Sequence, residues 1–250
     1  QKAHEILLGG ESNMKKPPLI LLLSLSLILL WLTPSSAETT SVQISLSDRG
    51  VAFSLMQRTA SSYFQLRVSE LNPYVKESPV QIFPLFYLSI ATKTAPELVW
   101  EKRKGKGWGK IAKEMGLPPN FHGKYMSAKN KHKKSSSAIT DDQIFEEMMI
   151  IRFLHEYFGA DPEVLFYWRA QGLTYDDLFL GINLSLRLKI SPGEFFSLRL
   201  SGKDWRFIAN KVRVPYSSLS QPLKPVNKTI PLPKNSPPEK NNKGKKPKKK

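Results

Sequence analysis

The sequence contains no cysteine, and it also lacks the short motifs that mark common enzymes. Without cysteine, a disulfide framework, a catalytic thiol and a cysteine-ligated zinc site are excluded, whereas the cellular compartment stays open. No H-E-x-x-H, G-x-S-x-G, phosphate-loop or dinucleotide pattern occurs. The sequence therefore predicts a protein without catalytic activity or cofactor, and a hydrolase with an unrecognised site is the remaining alternative. Three histidines follow the hydrophobic start, and none has a second metal ligand three or four residues away: His122, His132 and His155.

Two pairs of neighbouring acids have the composition of catalytic carboxylate pairs. Asp141–Asp142 and Asp176–Asp177 both fall in the first turn of a predicted helix. Acidic side chains are favourable there because the helix dipole is positive at its N-terminus. We therefore interpret both pairs as helix-capping groups.

The net charge of +17 is concentrated in two blocks. Residues 101–134 and 224–250 each carry a balance of +9, whereas residues 141–177 carry −7. Such basic blocks predict contact with an anionic envelope polymer, lipid phosphate or an acidic protein, with an affinity that falls in salt. Nucleic acid and self-association between residues 101–134 and 141–177 are alternatives. The candidate binding residues in the first block are Lys124, Lys129, Lys131, Lys133 and Lys134.

The N-terminal region predicts export. Met14 is followed by two lysines, by an apolar run over Leu19–Leu32 and by small residues ending at Ala37. This run of fourteen residues, apolar except for Ser24 and Ser26, spans about 21 Å as a helix, which is short of the ~30 Å hydrocarbon core. We expect residues 1–13 to be upstream read-through and 14–37 to be a bacterial signal peptide cleaved after Ala37, which places the protein in the periplasm or cell envelope. An uncleaved anchor is the alternative.

From about residue 80 onward, the sequence predicts a mainly α fold of short helical hairpins packed as a small array or bundle. Helix starts marked by capping boxes at Thr94 and Thr140, or by Asp/Ser–Pro, alternate with glycine stops. Residues 38–78 are less regular, and we expect a helix from about residue 50 after an extended lead-in. The predicted organisation is a poorly defined segment at 38–78, a first helical unit at 79–117, a basic linker at 118–139, two helical repeats at 140–214 and a disordered Pro/Lys tail at 215–250.

A shift of 30 residues aligns two parts of the chain. Arg169 then matches Arg199. Pro162 matches Pro192, and Phe166 matches Phe196. The pattern predicts a repeated unit of short helix, glycine turn and aromatic-led helix, with a weaker first copy 97 residues before the last. The motif residues are Gly105, Trp108, Ile111, Ala112 and Gly116 in the first copy, and Gly172, Tyr175, Gly202, Trp205 and Ile208 in the later ones.

Arg169 and Arg199 are the most informative single residues, since each lies six residues before an aromatic residue. One interpretation is a repeated anion-binding arginine. The other is that each guanidinium stacks on the following ring or binds the last carbonyls of its helix. We favour the second interpretation.

The stretch G-K-G-W-G-K-I-A-K-E-M-G-L-P-P begins at Gly105. It resembles a segment of uncharacterised exported bacterial proteins, a resemblance that implies a helical fold and export but no mechanism. Trp108 to Gly116 also resembles the second helix and turn of a helix-turn-helix domain. The lysine-rich segment Asn120–Lys134 would then be the recognition helix of a nucleic-acid-binding protein, which is the alternative function.

Overall fold

The computed structural model describes residues 46–75, 78–118, 121, 125, 127–128 and 141–227, all of them within the unit formed by residues 41–250. The predicted signal peptide with its cleavage site, the five linker lysines and residues 228–250 lie outside these residues. Within the described ranges the chain is helical and contains no strand, which confirms the predicted mainly α class. No helix in those ranges is long and apolar enough to cross a membrane.

The structure contains ten α-helices and two 3₁₀ helices in the described part of the chain. The 3₁₀ helices are Pro79–Gln81 and Tyr216–Ser220. The α-helices are α1 (Leu46–Phe64), α2 (Val68–Leu71), α3 (Ile82–Thr92), α4 (Pro96–Lys102), α5 (Trp108–Glu114), α6 (Asp141–Phe158), α7 (Pro162–Ala170), α8 (Tyr175–Leu188), α9 (Pro192–Leu200) and α10 (Trp205–Lys211).

The core is built around three helices, α3, α6 and α8. Every residue of 82–89 in α3 and of 177–185 in α8 is buried, as expected for helices surrounded by other helices. The rings of Phe83, Phe153 and Phe179, one from each helix, lie 4.5 to 5.9 Å apart between centroids. These aromatic contacts join the three helices directly.

Helices α8 and α9 approach closely at a glycine. The Phe196 ring of α9 occupies the space that a methyl group on Gly181 would fill. Packing therefore requires glycine at position 181, although glycine is otherwise unfavourable in the middle of an α-helix.

Predicted glycine stops coincide with observed helix ends. A left-handed backbone conformation closes the last turn of a helix, and glycine adopts it without a steric penalty. The predicted glycines with positive φ are Gly105 (68°), Gly116 (79°), Gly159 (72°), Gly172 (106°) and Gly202 (84°).

The helix predicted from about residue 50 is confirmed. It is α1, which begins at Leu46, contains 19 residues and packs against α8. At the other end of the fold, one prediction is wrong. Residues 215–227, predicted to be disordered tail, include a 3₁₀ helix with Leu219 buried. Hydrogen bonds fix this second segment, because the Asn183 amide donates to the carbonyls of Leu219 and Gln221 at 3.1 Å.

The predicted linker 118–139 also contributes to the core. Tyr125 and Ala128 are helical and buried. The Tyr125 ring meets His155 of α6 edge to face at 6.2 Å, and Phe121 stacks on Phe145 at 6.1 Å. At least these residues are therefore part of the folded structure and not of a spacer.

One predicted capping box is absent. Helix α4 begins after Ala95, and Thr94 does not cap it. The Glu97 carboxylate that would complete the box instead accepts a hydrogen bond from the Tyr74 hydroxyl at 3.2 Å. Helix α8, predicted to start at Thr174, does begin with a capping box. The Thr174 hydroxyl accepts from the Asp177 amide, and the Asp177 carboxylate accepts from the Thr174 amide.

Candidate functional site

Three turns carry an arginine with the same two contacts. In the turns α4–α5, α7–α8 and α9–α10, a guanidinium nitrogen donates to a carbonyl within the turn, and the guanidinium faces the aromatic residue that opens the next helix. The three sets are Arg103 with Lys106 O and Trp108 (4.9 Å to the ring centroid), Arg169 with Leu173 O and Tyr175 (4.1 Å), and Arg199 with Lys203 O and Trp205 (5.9 Å).

Arg199 has the most enclosed of these sites. Its Nε donates to Asp177 Oδ1 at 2.7 Å, and the Trp205 indole N–H donates to the same oxygen at 2.8 Å. The other Asp177 oxygen accepts from the amide and hydroxyl of Thr174 at 3.0 and 2.8 Å. Four hydrogen bonds thus satisfy a carboxylate that has no contact with solvent.

Asp48 of α1 closes the other side of this cluster. One of its oxygens accepts from the Trp205 amide at 3.3 Å, and the other accepts from the Tyr216 hydroxyl at 2.6 Å. Burial, helped by the hydrogen bond to Asp48, raises the pKa of Tyr216 to about 12, so the phenol stays protonated. Two buried aspartates therefore join α1, α8, α10 and the final 3₁₀ helix.

The Arg169 and Arg103 sites are more open. Arg169 Nε lies 3.6 Å from the Glu147 carboxylate of α6, which is longer than a hydrogen bond. At the first turn, the Trp108 indole donates to Gln81 at 2.7 Å, and the Gln81 amide donates to Glu146 of α6 at 2.5 Å. Burial raises the pKa of Glu146 although Gln81 and Arg103 oppose it.

Helix α5 receives its N-terminal cap from α6. Its N-cap residue is Gly107, which has no side chain to accept a hydrogen bond. The Asp142 carboxylate accepts from the Gly109 amide at 3.1 Å and occupies the space that a methyl group on Gly107 would fill. The corresponding residues of α8 and α10, Thr174 and Asp204, cap their own helices.

The ring contact predicted for Arg169 and Arg199 is confirmed, while the hydrogen bond goes to a turn carbonyl and not to the last carbonyl of the helix. An external-anion role for Arg199 is wrong, because that side chain is buried and bonded to Asp177. Arg103 was not predicted, since the ungapped alignment places Lys102 opposite Arg199. The first turn is one residue shorter, and allowing a one-residue gap between arginine and tryptophan would reveal it.

A second polar cluster lies between α1, α3 and α6. The Glu156 carboxylate accepts from Tyr63 at 2.8 Å, Tyr87 at 2.6 Å and Arg152 Nε at 2.8 Å. Burial alone would raise the pKa of Glu156, but these hydrogen bonds outweigh it and the pKa is lowered. Burial also raises the pKa of Tyr87 far above its usual value. Both phenols therefore act as protonated donors that hold an ionised carboxylate.

The acidic block of residues 141–177 supplies most of these internal bonds. Five of its carboxylates contact groups of the same chain and lie at least partly buried. The block is therefore used largely for folding and forms little free acidic surface. The residues concerned are Asp142, Glu146, Glu147, Glu156 and Asp177.

The exposed surface of the described residues is cationic by contrast. Fourteen Lys and Arg side chains are exposed there against eight carboxylates. The exposed cations are Arg49, Arg58, Arg67, Lys93, Lys102, Lys104, Lys110, Lys113, Lys189, Lys203, Arg206, Lys211, Arg213 and Lys224. The exposed acids are Glu70, Glu97, Glu101, Glu114, Asp161, Glu163, Glu194 and Asp204.

No protein-family model, curated protein or solved structure matches this chain. The resemblance to exported bacterial proteins and to a helix-turn-helix stays a prediction. Function has to be inferred from the residues of this chain alone.

Proposed function

We propose that the protein is an exported, non-catalytic binding protein whose basic segments attach it to anionic polymers of the cell envelope, to lipid phosphate or to an acidic partner protein. The observation that carries this proposal is the separation of charge between interior and surface. Carboxylates such as Asp177 and Glu156 are bonded inside the fold, whereas most lysines and arginines face solvent. The surface available to a partner is therefore more cationic than the composition of the described residues, which is 20 Lys and Arg against 16 Asp and Glu.

A non-catalytic role fits the way in which the buried titratable groups are used. Asp177 is occupied by Arg199 and Trp205, and Glu156 is occupied by two tyrosines and an arginine. These groups hold helices together, and each already has the partners that a substrate would need to displace.

Attachment to a polyanion is testable through its salt dependence. The full chain should bind dextran sulfate, and its affinity should fall steeply and linearly on a logarithmic scale as salt rises, because bound cations release counterions. Uncharged dextran of the same length is the matched control. No retention on dextran sulfate at low salt would contradict the proposal.

Export predicts which residue begins the mature protein. The mature protein recovered from cells should begin at Glu38 and fractionate with the envelope. Sequencing from the N-terminus and cell fractionation check both points. Intact protein starting at Met14 in the nucleoid fraction would contradict export.

The alternative function is nucleic-acid binding by a helix-turn-helix. Its support is the α4–α5 pair, joined by a turn at Gly105, with Lys110 and Lys113 exposed on the second helix. Of the proposed recognition segment Asn120–Lys134, the described residues 125, 127 and 128 are helical. Retention of sequence-preferring binding to duplex DNA at 0.2 M salt would favour this alternative over general polyanion binding.

We also propose that the hairpins α7–α8 and α9–α10 are copies of one unit, with α4–α5 as a divergent third. The arginine–carbonyl and arginine–ring contacts common to the three turns support this. An engineered chain in which residues 192–200 replace 162–170, a change that leaves Asp177 in place, should still fold. Circular dichroism with an unfolding curve would test this.

A further inference from the structure

The outer face of α10 carries four cations without a carboxylate partner. Lys203, Arg206, Lys211 and Arg213 are exposed, and none forms an ion pair with another described residue. The only acid in residues 200–227 is Asp204. Its carboxylate is used as the helix cap, accepting from the Phe207 amide at 2.6 Å. With Glu194 of α9, which lines a cleft together with Lys211, this surface carries four cations against two carboxylates and is net positive.

An exposed aromatic ring lies among these cations. The Phe207 side chain is 46 % exposed, although Trp205 and Ile208 on the same helix are completely buried. Lys203 Nζ lies 5.2 Å from the Phe207 ring centroid, and the Arg206 guanidinium lies 4.8 Å from that of Tyr216. Both cations are thus held over rings in defined positions at the surface.

An apolar cleft lies between α9 and α10 beside this ring. Phe195, Leu198 and Val212 form its apolar lining, and Lys211 and Glu194 also line it. The cleft is open to solvent and has a volume of about 420 Å³. Lys211 is one helical turn from Phe207, so the cleft and the exposed ring lie on adjoining parts of one surface. We call this combined surface the α10 face, defined by Lys203, Arg206, Phe207, Lys211, Arg213 and the cleft.

We infer that the α10 face docks on the surface of an anionic lipid bilayer. Its cations would contact lipid phosphates, while Phe207 and the apolar lining of the cleft would contact the acyl chains just beneath the headgroups. This inference rests on the proposed function, since it requires a partner rich in negative charge, and it deepens that function by naming lipid as the partner of one described surface. Charge complementarity supports the anionic partner, and the apolar cleft beside the cations supports an amphiphilic one.

Nucleic acid fits the same face less well. Single-stranded nucleic acid is bound in grooves in which bases stack on successive aromatic rings. The α10 face is the outer surface of a helix with one exposed ring. Contacts from the four cations to the phosphates of duplex DNA would leave Phe207 and the apolar cleft without an apolar partner.

The first test measures binding of the full chain to vesicles of phosphatidylglycerol and of phosphatidylcholine. Wild-type protein should bind the anionic vesicles selectively. The combined change Lys203→Gln, Arg206→Gln, Lys211→Gln and Arg213→Gln should weaken that binding on the order of 600-fold, because each cation near such a surface contributes about five-fold. The matched control removes four exposed cations outside the α10 face and outside both basic blocks, Arg58→Gln, Arg67→Gln, Lys93→Gln and Lys189→Gln, and should lose less than about ten-fold.

The second test stays informative if the quadruple variant fails to fold. Because the chain has no cysteine, Phe207→Cys provides a unique site for an environment-sensitive fluorophore. Leu98→Cys on α4 is the control, since Leu98 is 47 % exposed and thus equally accessible. Phosphatidylglycerol vesicles should shift the emission of the label at 207 to the blue and leave that at 98 unchanged.

The outcomes separate this inference from the proposed function. Equal losses for the two quadruple variants, or equal shifts for the two labels, would overturn docking through the α10 face while polyanion binding stands. Binding to dextran sulfate or DNA without binding to anionic vesicles would overturn the lipid assignment alone. Failure to bind any of these anions would overturn both proposals.

Discussion

The α9–α10 turn and the α7–α8 turn use the same contacts in different surroundings. In the first, the side chains of Arg199 and Asp177 are 1 % and 0 % exposed and their atoms meet at 2.7 Å. In the second, Arg169 and Glu147 are 27 % and 14 % exposed and lie 3.6 Å apart. Both arginines donate to a turn carbonyl and face an aromatic ring.

The comparison shows that burial, and not the motif itself, decides what such a pair contributes. Water screens partly exposed ions and leaves them worth about 0–1 kcal/mol. A buried pair contributes little net energy when intact, yet removal of one partner leaves an unpaired charge that water cannot reach. The two turns should therefore respond very differently to the same mutation.

The largest expected effect is that of Asp177→Asn. This change leaves the Arg199 charge buried without its counter-ion and should lower the free energy of unfolding by about 3–5 kcal/mol. The matched change Glu147→Gln at the open turn should cost about 1 kcal/mol or less. Urea unfolding of both variants measures the difference. Equal costs would show that burial does not separate the two turns.

Asp176, beside Asp177, should make stability depend on pH. Burial raises its pKa from 3.8 to about 6, with Asp177 and Asp48 adding to the effect and Arg49 opposing it. Because the pKa of Asp176 is higher in the folded than in the unfolded protein, the protonated side chain favours folding. This contribution to the free energy of unfolding is complete below pH 4 and is lost as the pH rises through 6. Asp176→Asn should remove that loss and raise stability at pH 7 by at most about 3 kcal/mol.

Thermal unfolding between pH 4 and pH 8 checks the Asp176 prediction. The exposed acid Glu101 provides the control, since Glu101→Gln makes the same change in net charge. An unchanged pH profile in the Asp176 variant would show that another group causes the dependence.

A smaller effect should follow where the two hairpins meet. Gly181→Ala places a methyl group on the Phe196 ring, and overpacking of this kind costs about 1–3 kcal/mol. The better helix propensity of alanine returns up to about 1 kcal/mol. Gly193→Ala is the control, because its methyl group would meet Trp168 at an ordinary 3.4 Å. Unfolding curves should show a net loss only for the Gly181 variant.

The smallest effect on stability should come from the outer face of α10. Phe207→Ser removes a ring that is 46 % exposed and should change the free energy of unfolding by less than about 1 kcal/mol. Trp205→Phe, two residues earlier, loses the indole hydrogen bond to Asp177 and should cost about 1–3 kcal/mol. Calorimetry on both variants compares the two sides of one helix.

Local signals in the sequence predicted helices well where glycine ends them. Gly172 and Gly202 take the left-handed conformation that their position after a helix requires. The Thr174 capping box formed because its partner Asp177 is only three residues away. Such features depend on neighbours along the chain, and sequence spacing contains the needed information.

Contacts between residues that are far apart along the chain could not be predicted from the sequence. Thr94 and Glu97 have the spacing of a capping box, but Tyr74 takes the carboxylate. The sequence indicated helix α1 only weakly, because its polar residues include Asp48. That side chain is buried and accepts hydrogen bonds from Trp205 and Tyr216. The cationic α10 face was missed because only the fold shows which side of that helix is buried.

The hydrogen bond between the Val226 amide and the Tyr157 carbonyl, at 2.8 Å, joins the two ends of the segment 158–225. Helices α7 to α10 thereby form a loop that is closed at its base, and the Tyr157 hydroxyl reinforces the closure by donating to Leu223 O at 2.6 Å. These two contacts hold the chain that follows α10 against the end of α6. The four helices should accordingly exchange their amide hydrogens as one cooperative block, with Val226 protected alongside them.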